Sequence, residues 1–457
     1  MDNQIITFGC RLNSFESEGI KETLKKTDQK NLIVFNSCAV TSEAERELRQ
    51  AIRKARKKNP DAKIIVTGCA AQIDPEKYAQ MAEVDLVLGN VEKSKSESYE
   101  NPKRGQTPFV KKGSDPFLGL STNSHPDKLF FETKKSSADF LTPDETSKIK
   151  VNDIMSVRDT APQLVSYFEN KTRAFLEIQN GCNHRCTFCI IPFGRGNSRS
   201  VAFGEIVAQV KKMVAAGHKE VVLTGVDISG YGEDLAAPIT LSQMVKRLLK
   251  LVPELPRLRL SSIDVAEIDD GFFEILKNEP RFMPYFHLSV QSGDDIILKR
   301  MKRRHNREQI LEFCKKAREI RPEMTFGADI IAGFPTENDE MFLNSLNLIK
   351  EAGIIFTHIF PYSKREGTPA AKMPQVNGKI VKARAKALRE AGDEELKKFL
   401  QKQIGKTIKI LVEKDGIGKS ENFLDVKILN NSKITKPGEV IDIKVLGVEE
   451  NFLITKI

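Results

Sequence analysis

The stretch Ile178–Gly196, "IQNGCNHRCTFCIIPFGRG", decides how the rest of the chain reads. Its cysteines, Cys182, Cys186 and Cys189, stand in C-x3-C-x2-C spacing, so one short loop wraps three thiolates round one face of a metal cluster. A [4Fe–4S] cluster has four irons, and three cysteines leave one iron without a protein ligand. An open coordination position is what chemistry at a metal requires. Zinc is the competing reading, with His184 as a fourth ligand. His184 lies inside the loop, however, where closing a tetrahedron is strained.

Three more cysteines lie upstream, and each ends a β-branched run: Cys10 in "QIITFGC", Cys38 in "IVFNSC" and Cys69 in "IIVTGC". Strands are expected at Ile5–Phe8, Leu32–Phe35, Ile64–Thr67 and Leu86–Leu88. Polar, periodic segments at Ser14–Lys26, Ser42–Lys58 and Pro75–Ala82 read as helices between them. Strands alternating with helices imply a parallel sheet, and ligands of such sheets sit at the carboxyl ends of the strands. All three cysteines then reach one sheet edge, where convergent thiolates suit a soft metal or an iron–sulfur cluster. One such cysteine alone reads as a small buried apolar residue. Cys314, on an amphipathic helix without a cysteine neighbour, has that bland reading.

The bulk numbers set bounds. A chain of 457 residues suits two to four domains. No run approaches the roughly 20 apolar residues that span a bilayer, and "MDNQIITFGC" is not a secretory signal, so a cytoplasmic protein is expected. Lys and Arg number 72 against 62 Asp and Glu, a net charge of +10. That balance is compatible with nucleic acid as partner and equally with a generally basic proteome. Seven cysteines in a long cytosolic chain point to metal or catalysis and not to disulfides.

After the C-x3-C-x2-C loop, which with Phe188 before its last cysteine resembles the radical S-adenosylmethionine superfamily, the expected elements repeat. Strands are expected at Phe175–Ile178, Val221–Thr224, Leu258–Ser261, Phe286–Val290, Phe326–Ile331 and His358–Phe360. Helices are expected at Phe203–Ala216, Leu241–Leu251, Gly271–Lys277, Arg307–Ile320 and Glu337–Glu351. Six strand–helix units are similar to that superfamily's partial α/β barrel, whose contacts to the cofactor come from loops after strands. The resemblance puts S-adenosylmethionine on the open iron, where its cleavage yields a 5′-deoxyadenosyl radical. It places Thr224 and Gly225 at a Gly-Gly-type motif, with threonine for the first glycine. Ser261, Ser262, Gln291 and Ser292 are further candidates. "GADIIAGFPTE" resembles the segment near the adenine, with Gly327, Ile330, Gly333 and Glu337; as a plain strand-to-helix turn it would have Thr336 as N-cap.

The tail changes pattern. A charged, alanine-rich connecting helix is expected over 379–403. "KTIKILVEK", "LDVKILN", "EVIDIKVLGV" and "NFLITKI" then alternate apolar with polar residues, as a small β-barrel does. Its lysines, Lys406, Lys409 and Lys414 among them, suit RNA or a solvated surface, and the segment resembles the TRAM domain, an RNA-binding module. A second basic run, Lys299, Arg300, Lys302, Arg303 and Arg304, reads either as a phosphate-binding face or as a solvated helix end. Residues 93–150, rich in Ser, Lys, Pro and Gly, read as a disordered insert between domains or, alternatively, a lid.

An α/β chain is therefore expected, with an N-terminal parallel-sheet domain over 1–92, the insert over 93–150 and a partial (βα)6 barrel over 151–378. The connecting helix follows over 379–403, then a TRAM-like barrel over 404–457. This order resembles the methylthiotransferase family. The resemblance implies an auxiliary [4Fe–4S] cluster on Cys10, Cys38 and Cys69, a second [4Fe–4S] cluster on Cys182, Cys186 and Cys189, and S-adenosylmethionine both as methyl donor and as radical source. Within the family, Arg11-Leu12-Asn13 after the first cysteine and Ala39-Val40-Thr41 after the second are similar to the branch that acts on N6-threonylcarbamoyladenosine in tRNA. The isopentenyladenosine branch and the ribosomal-protein aspartate branch are the alternatives, and an iron–sulfur RNA-binding redox sensor is the non-enzyme alternative. The implied partners are tRNA and an electron-donor protein, without membrane or DNA.

Overall fold

The computed structural model describes residues 2–100, 148–158, 172–429 and 435–456. The first unit is a five-stranded parallel sheet of β1 (Gln4–Thr7), β2 (Leu32–Ser37), β3 (Lys63–Gly68), β4 (Leu86–Leu88) and β5 (Ile149–Lys150), in that order. Its helices are α1 (Arg11–Leu24), α2 (Ser42–Lys58), α3 (Cys69–Ile73) and α4 (Pro75–Ala79). β2 reads LIVFNS and every residue is buried, as for a strand covered on both faces. α2 starts where Thr41 accepts from Ala44 N, with Glu43 and Glu45 in its first turn and Arg56, Lys57 and Lys58 in its last. Both ends therefore complement the helix dipole.

The domain boundary expected at residue 92 is corrected here. Lys93 and Tyr99 are fully buried, and Tyr99 donates to Lys93 O at 2.7 Å. β5 pairs with β4 through Val87 and Ile149. Residues 93–100 and 148–150 thus belong to the first unit and not to an insert. The remainder of the expected insert lies outside the described residues.

The middle unit carries β6 (Arg173–Asn180), β7 (Arg199–Ser200), β8 (Glu220–Gly225), β9 (Arg257–Leu260), β10 (Ser262–Ile263), β11 (Tyr285–Gln291), β12 (Thr325–Ala332) and β13 (Ile354–Pro361). Its helices are α5 (Ile191–Arg195), α6 (Phe203–Ala215), α7 (Leu241–Leu251), α8 (Gly271–Asn278), α9 (Asp295–Arg300), α10 (Arg307–Ile320), α11 (Asp339–Glu351) and α12 (Gly378–Gln401). β6, β8 and β9 run parallel, as do β10 to β13, and the chain passes between the two sheets at Ser261. The result is the expected partial barrel, with a large apolar core between its strands and helices. Thr336 does not cap α11: Asn338 accepts from Met341 N, and Thr336 takes a left-handed φ of 71°.

The last unit is a six-stranded sheet of β14 (Thr407–Val412), β15 (Ile417–Ser420), β16 (Asp425–Leu429), β17 (Val440–Lys444), β18 (Gly447–Glu449) and β19 (Phe452–Lys456), ordered β17-β14-β15-β16-β19-β18. Thr455 Oγ1 donates to Lys444 O at 2.8 Å, which draws β19 back against β17. Its β15–β16 turn docks on the barrel: Thr325 Oγ1 donates to Asn422 O at 2.6 Å, and Tyr285 stacks on Phe423 with ring centroids 4.5 Å apart.

Candidate active site

Cys10, Cys38 and Cys69 follow β1, β2 and β3, three adjacent parallel strands, so they share one edge of the sheet. Cys10 is exposed, while Cys38 and Cys69 are buried. The backbone is shaped for their approach. Gly9 has φ 94°, and a Cβ there would come within 2.6 Å of Cys38 Cβ and 2.8 Å of its Sγ. Gly68 has φ 93°, and a Cβ there would meet Ser37 O at 2.4 Å. Ser37 Oγ accepts from Ala70 N and Ala71 N at 3.2 and 3.3 Å, which fixes the turn carrying Cys69. Asn13 donates to Phe8 O at 2.7 Å and to Ser37 O at 3.0 Å, tying the ends of β1 and β2 together.

Arg195, at the end of α5 and just after the second cysteine motif, closes this edge. Its Nε donates to Cys69 Sγ at 3.0 Å and its other nitrogens to Asn13 Oδ1 at 2.6 Å and Glu16 Oε2 at 2.9 Å. Lys93 Nζ reaches the same Glu16 carboxylate at 2.7 Å. Burial alone would raise Glu16, but Arg195 and Lys93 outweigh it and hold its pKa at about 2. Removing either partner of such a buried pair costs about 3–5 kcal/mol. The loop of one triad is thereby bolted to the other.

Cys182, Cys186 and Cys189 lie in the loop after β6, on the rim formed by strand carboxyl ends. Cys182 Sγ donates to Asp227 Oδ2 at 3.4 Å, and Arg303 reaches Cys186 Sγ at 3.6 Å. His184 Nε2 lies 2.9 Å from Asp227 and 3.3 Å from Glu267. These carboxylates raise its pKa to about 10, first through the contact with Asp227.

The same rim carries Thr224 and Gly225 at the end of β8, Ser261 and Ser262 at β9–β10, Gln291 at the end of β11 and Gly333 after β12. Gly225 is tightly placed: a Cβ would sit 2.5 Å from Gln179 O. Gln291 has φ 66°, strained for its type. Ser292 is corrected: it is fully buried, its hydroxyl lies 3.3 Å from Ser345 Oγ and accepts from Asp294 N, so it serves the packing of α11. Gly333 makes room for Val381 on α12, 2.5 Å from its would-be Cβ, and its N–H donates to Glu337. Gly327 leaves space for His287 Nδ1, 2.4 Å from its would-be Cβ, while Ile330 is core.

The basic run divides. Lys299, Arg300 and Lys302 are exposed. Arg303 is turned inward, donating to Asp264 at 2.8 Å and Ser289 O at 3.0 Å, so its reading as a phosphate contact is corrected. Arg304 pairs with Glu267 at 2.5 Å. Lys406, Lys409 and Lys414 are exposed on the C-terminal unit.

Sequence reasoning missed Arg195, Asp227, Asp264 and the pair of buried bridges in the barrel. In one, Arg259 donates to Glu220 at 2.9 and 3.2 Å. In the other, Tyr285 OH meets His287 Nδ1 at 2.9 Å, His287 Nε2 meets Asp329 at 2.9 Å, and His358 approaches Asp329 at 3.3 Å. Charged residues inside β-strand runs, such as Arg257 and Arg259 in "RLRL", were the available signal, since such charges are buried only when paired.

Both triads fit iron–sulfur clusters. None of the six cysteines is in a disulfide. Burial pushes the Cys38 thiol up to about 12, with the charges of Cys69 and Cys10 adding to it, and burial does the same for Cys189. Thiols as shielded as those of Cys38 and Cys189 ionise readily only against positive charge, which cluster irons would supply.

Comparison with known proteins agrees with this geometry. The radical SAM superfamily model matches residues 176–349, and the model described as Uncharacterized protein family UPF0004 matches residues 3–89. The threonylcarbamoyladenosine tRNA methylthiotransferase of Rickettsia prowazekii is 52% identical over 98% of this chain and 96% of its own length. The protein of the same description from Bacillus subtilis is 31% identical over 96% of this chain and 92% of its own. The tRNA-2-methylthio-N(6)-dimethylallyladenosine synthase of Orientia tsutsugamushi is 29% identical over 98% of this chain and 97% of its own.

Proposed function

The chain belongs to the threonylcarbamoyladenosine tRNA methylthiotransferases, radical S-adenosylmethionine enzymes with [4Fe–4S] clusters, and from that premise we propose how its residues divide the reaction. Cys182, Cys186 and Cys189 hold the cluster that binds S-adenosylmethionine. Cys10, Cys38 and Cys69 hold the auxiliary cluster, and the methylthio group goes to C2 of the modified adenine beside the anticodon. When bound, these groups supply a radical able to remove hydrogen from an unactivated carbon, and the sulfur that replaces it.

The protein's own part is placement and exclusion of water. The observation that carries the division of labour is Arg195: six positions after Cys189, it donates to Cys69 Sγ and anchors on Glu16 and Asn13. The two triads therefore form walls of one site, as a reaction needing radical and sulfur at the same carbon demands. On the rim, Thr224, Gly225, Ser261, Ser262 and Gln291 are the cofactor contacts we assign. Gly333 is kept on its position alone. Arg303, held by Asp264, orients Cys186. An electron-donor protein is the further proposed partner, and the lysines of the C-terminal unit are the proposed tRNA contacts.

The test uses anaerobically reconstituted protein, which should hold about eight irons in two four-iron clusters. Replacing Cys10, Cys38 and Cys69 with alanine should halve the iron and abolish methylthiolation while S-adenosylmethionine cleavage continues. Full iron content in that variant would refute the auxiliary site. Purified protein given tRNA with either modification should act on the threonylcarbamoyl form. Methylthiolation of the isopentenyl form alone would overturn the substrate.

A further inference from the structure

Arg11 is a guanidinium with no acceptor among the described residues. It opens α1 directly after Cys10 and is half-buried. Among the described residues it has neither a hydrogen-bond nor an ion-pair partner; its side chain lies over the Phe423 ring at 5.6 Å. Three other cations surround that ring, and each is paired with a carboxylate. Arg173, 5.5 Å from the ring, pairs with Glu413 at 2.8 Å. Arg259, 5.0 Å from it, pairs with Glu220 at 2.9 Å. Lys419, 4.2 Å from it, pairs with Asp425 at 2.5 Å. Tyr285, Arg173, Arg259 and Glu220 all lie close enough to act on the Arg11 charge. A partly desolvated cation beside other cations is costly unless an anion joins it.

The reaction supplies one. In N6-threonylcarbamoyladenosine the substituent on N6 ends in a free carboxylate. C2 and N6 flank N1 on the same edge of the adenine ring. When C2 faces the sulfur of a cluster that Cys10, Cys38 and Cys69 would hold, the N6 substituent is presented to the same wall of the site. A residue that reads its carboxylate must therefore stand beside that triad. Arg11 follows Cys10 in the chain, and the planar fork of a guanidinium matches a carboxylate.

We propose that Arg11 binds the threonyl carboxylate and so selects this nucleoside over one with an uncharged N6 substituent. The assignment rests on the function proposed above. A site built to pair a charge rejects the analogue that lacks it, because its own group is then left unpaired.

The experiment compares tRNA bearing the natural nucleoside with the same tRNA whose threonine carboxylate is converted to the primary amide. Wild-type kcat/KM should favour the acid by on the order of 100-fold. Arg11→Gln should collapse that preference towards one, chiefly by loss on the acid. Arg11→Lys, which keeps the charge and loses the fork, should lose about tenfold on the acid and retain a reduced preference. It also serves as the readout should Arg11→Gln lose iron. Equal losses on acid and amide would overturn the proposal in favour of a phosphate or packing role. A raised KM for S-adenosylmethionine in Arg11→Gln would overturn it in favour of the cofactor's carboxylate. Wild-type protein indifferent to the amide overturns it directly and leaves the enzyme's function standing. Wild-type protein active only on the isopentenyl form overturns the functional reading and Arg11's role with it.

Discussion

Glu177 lies on β6, 5% exposed, with Asn180 Nδ2 donating to it at 2.6 Å. Burial raises its pKa from 4.5 to about 7, the nearby Glu16 carboxylate adds to the rise, and Arg195 offsets part of it. Glu16 is held charged by Arg195 and Lys93, so the second carboxyl is the one that resists ionising. The linkage has a definite sign. Below pH 4.5 Glu177 is protonated folded or unfolded and costs nothing. As pH rises from 4.5 to about 7 the unfolded chain gains by ionising it first, and stability is lost. A shift of that size corresponds to about 3 kcal/mol at 1.36 kcal/mol per unit. Glu177→Gln, neutral at every pH, should therefore match the wild type near pH 4 and exceed it at pH 8. Denaturation midpoints measured anaerobically from pH 4 to 8 check this, and parallel profiles for the two proteins would refute it.

At the scale of elements, the seam of the first unit is informative. Tyr99 is fully buried against Leu32, Val34, Ile65, Leu86 and Leu88, with its hydroxyl on Lys93 O. Tyr99→Ala should cost about 3 kcal/mol, as loss of a buried aromatic does. A chain with residues 94–147 replaced by a Gly/Ser linker should be less stable than one with only 101–147 replaced, by at least that free energy, and should melt lower; equal melting temperatures would contradict this boundary. Local chemistry made much of the fold legible. Ser42–Lys58, Leu241–Leu251 and Arg307–Ile320 form as the sequence predicts, because Thr41, Thr240 and Asn306 cap them within three residues. The cysteine edges were legible too, since strand, turn and cysteine are contiguous. What was not legible depends on distant partners. Arg303 looks like surface until Asp264, 39 positions away, turns it inward. Lys93 looks like the start of a linker until Glu16 takes its charge, and Arg195 meets that same carboxylate across 179 positions. Ser292 reads as a strand-end hydroxyl until Ser345 on α11 engages it.

Across the whole molecule, the net charge of +10 is divided unevenly between paired interior cations and exposed ones. Arg173, Arg259 and Arg303 pair with Glu413, Glu220 and Asp264, so they add little to an outward positive field. Lys406 and Lys409 remain exposed on the C-terminal unit. That unit is not loosely tethered: Phe423 stacks on Tyr285, Asn422 O accepts from Thr325, and Arg259 donates to Glu421 O at 3.0 Å. Its lysines are thus held at a fixed position relative to the barrel, which suits the tRNA contact proposed for them. Each phosphate neutralised releases counterions, so log K falls with log salt in proportion to the number of contacts. Replacing Lys406 and Lys409 with glutamine should weaken tRNA binding and reduce the slope of log K against log salt by roughly 1 to 2. Among the described residues neither lysine bonds to a member of either triad, so kcat at saturating tRNA should change by less than about twofold, the loss appearing as uniform binding. Arg303→Ala should do the reverse, leaving the salt slope intact and lowering S-adenosylmethionine cleavage. Titrations at several salt concentrations, run beside single-turnover methylthiolation, separate the two. A salt slope untouched by the double lysine change would place the tRNA on another face, with the exposed Lys299, Arg300 and Lys302 the next to neutralise.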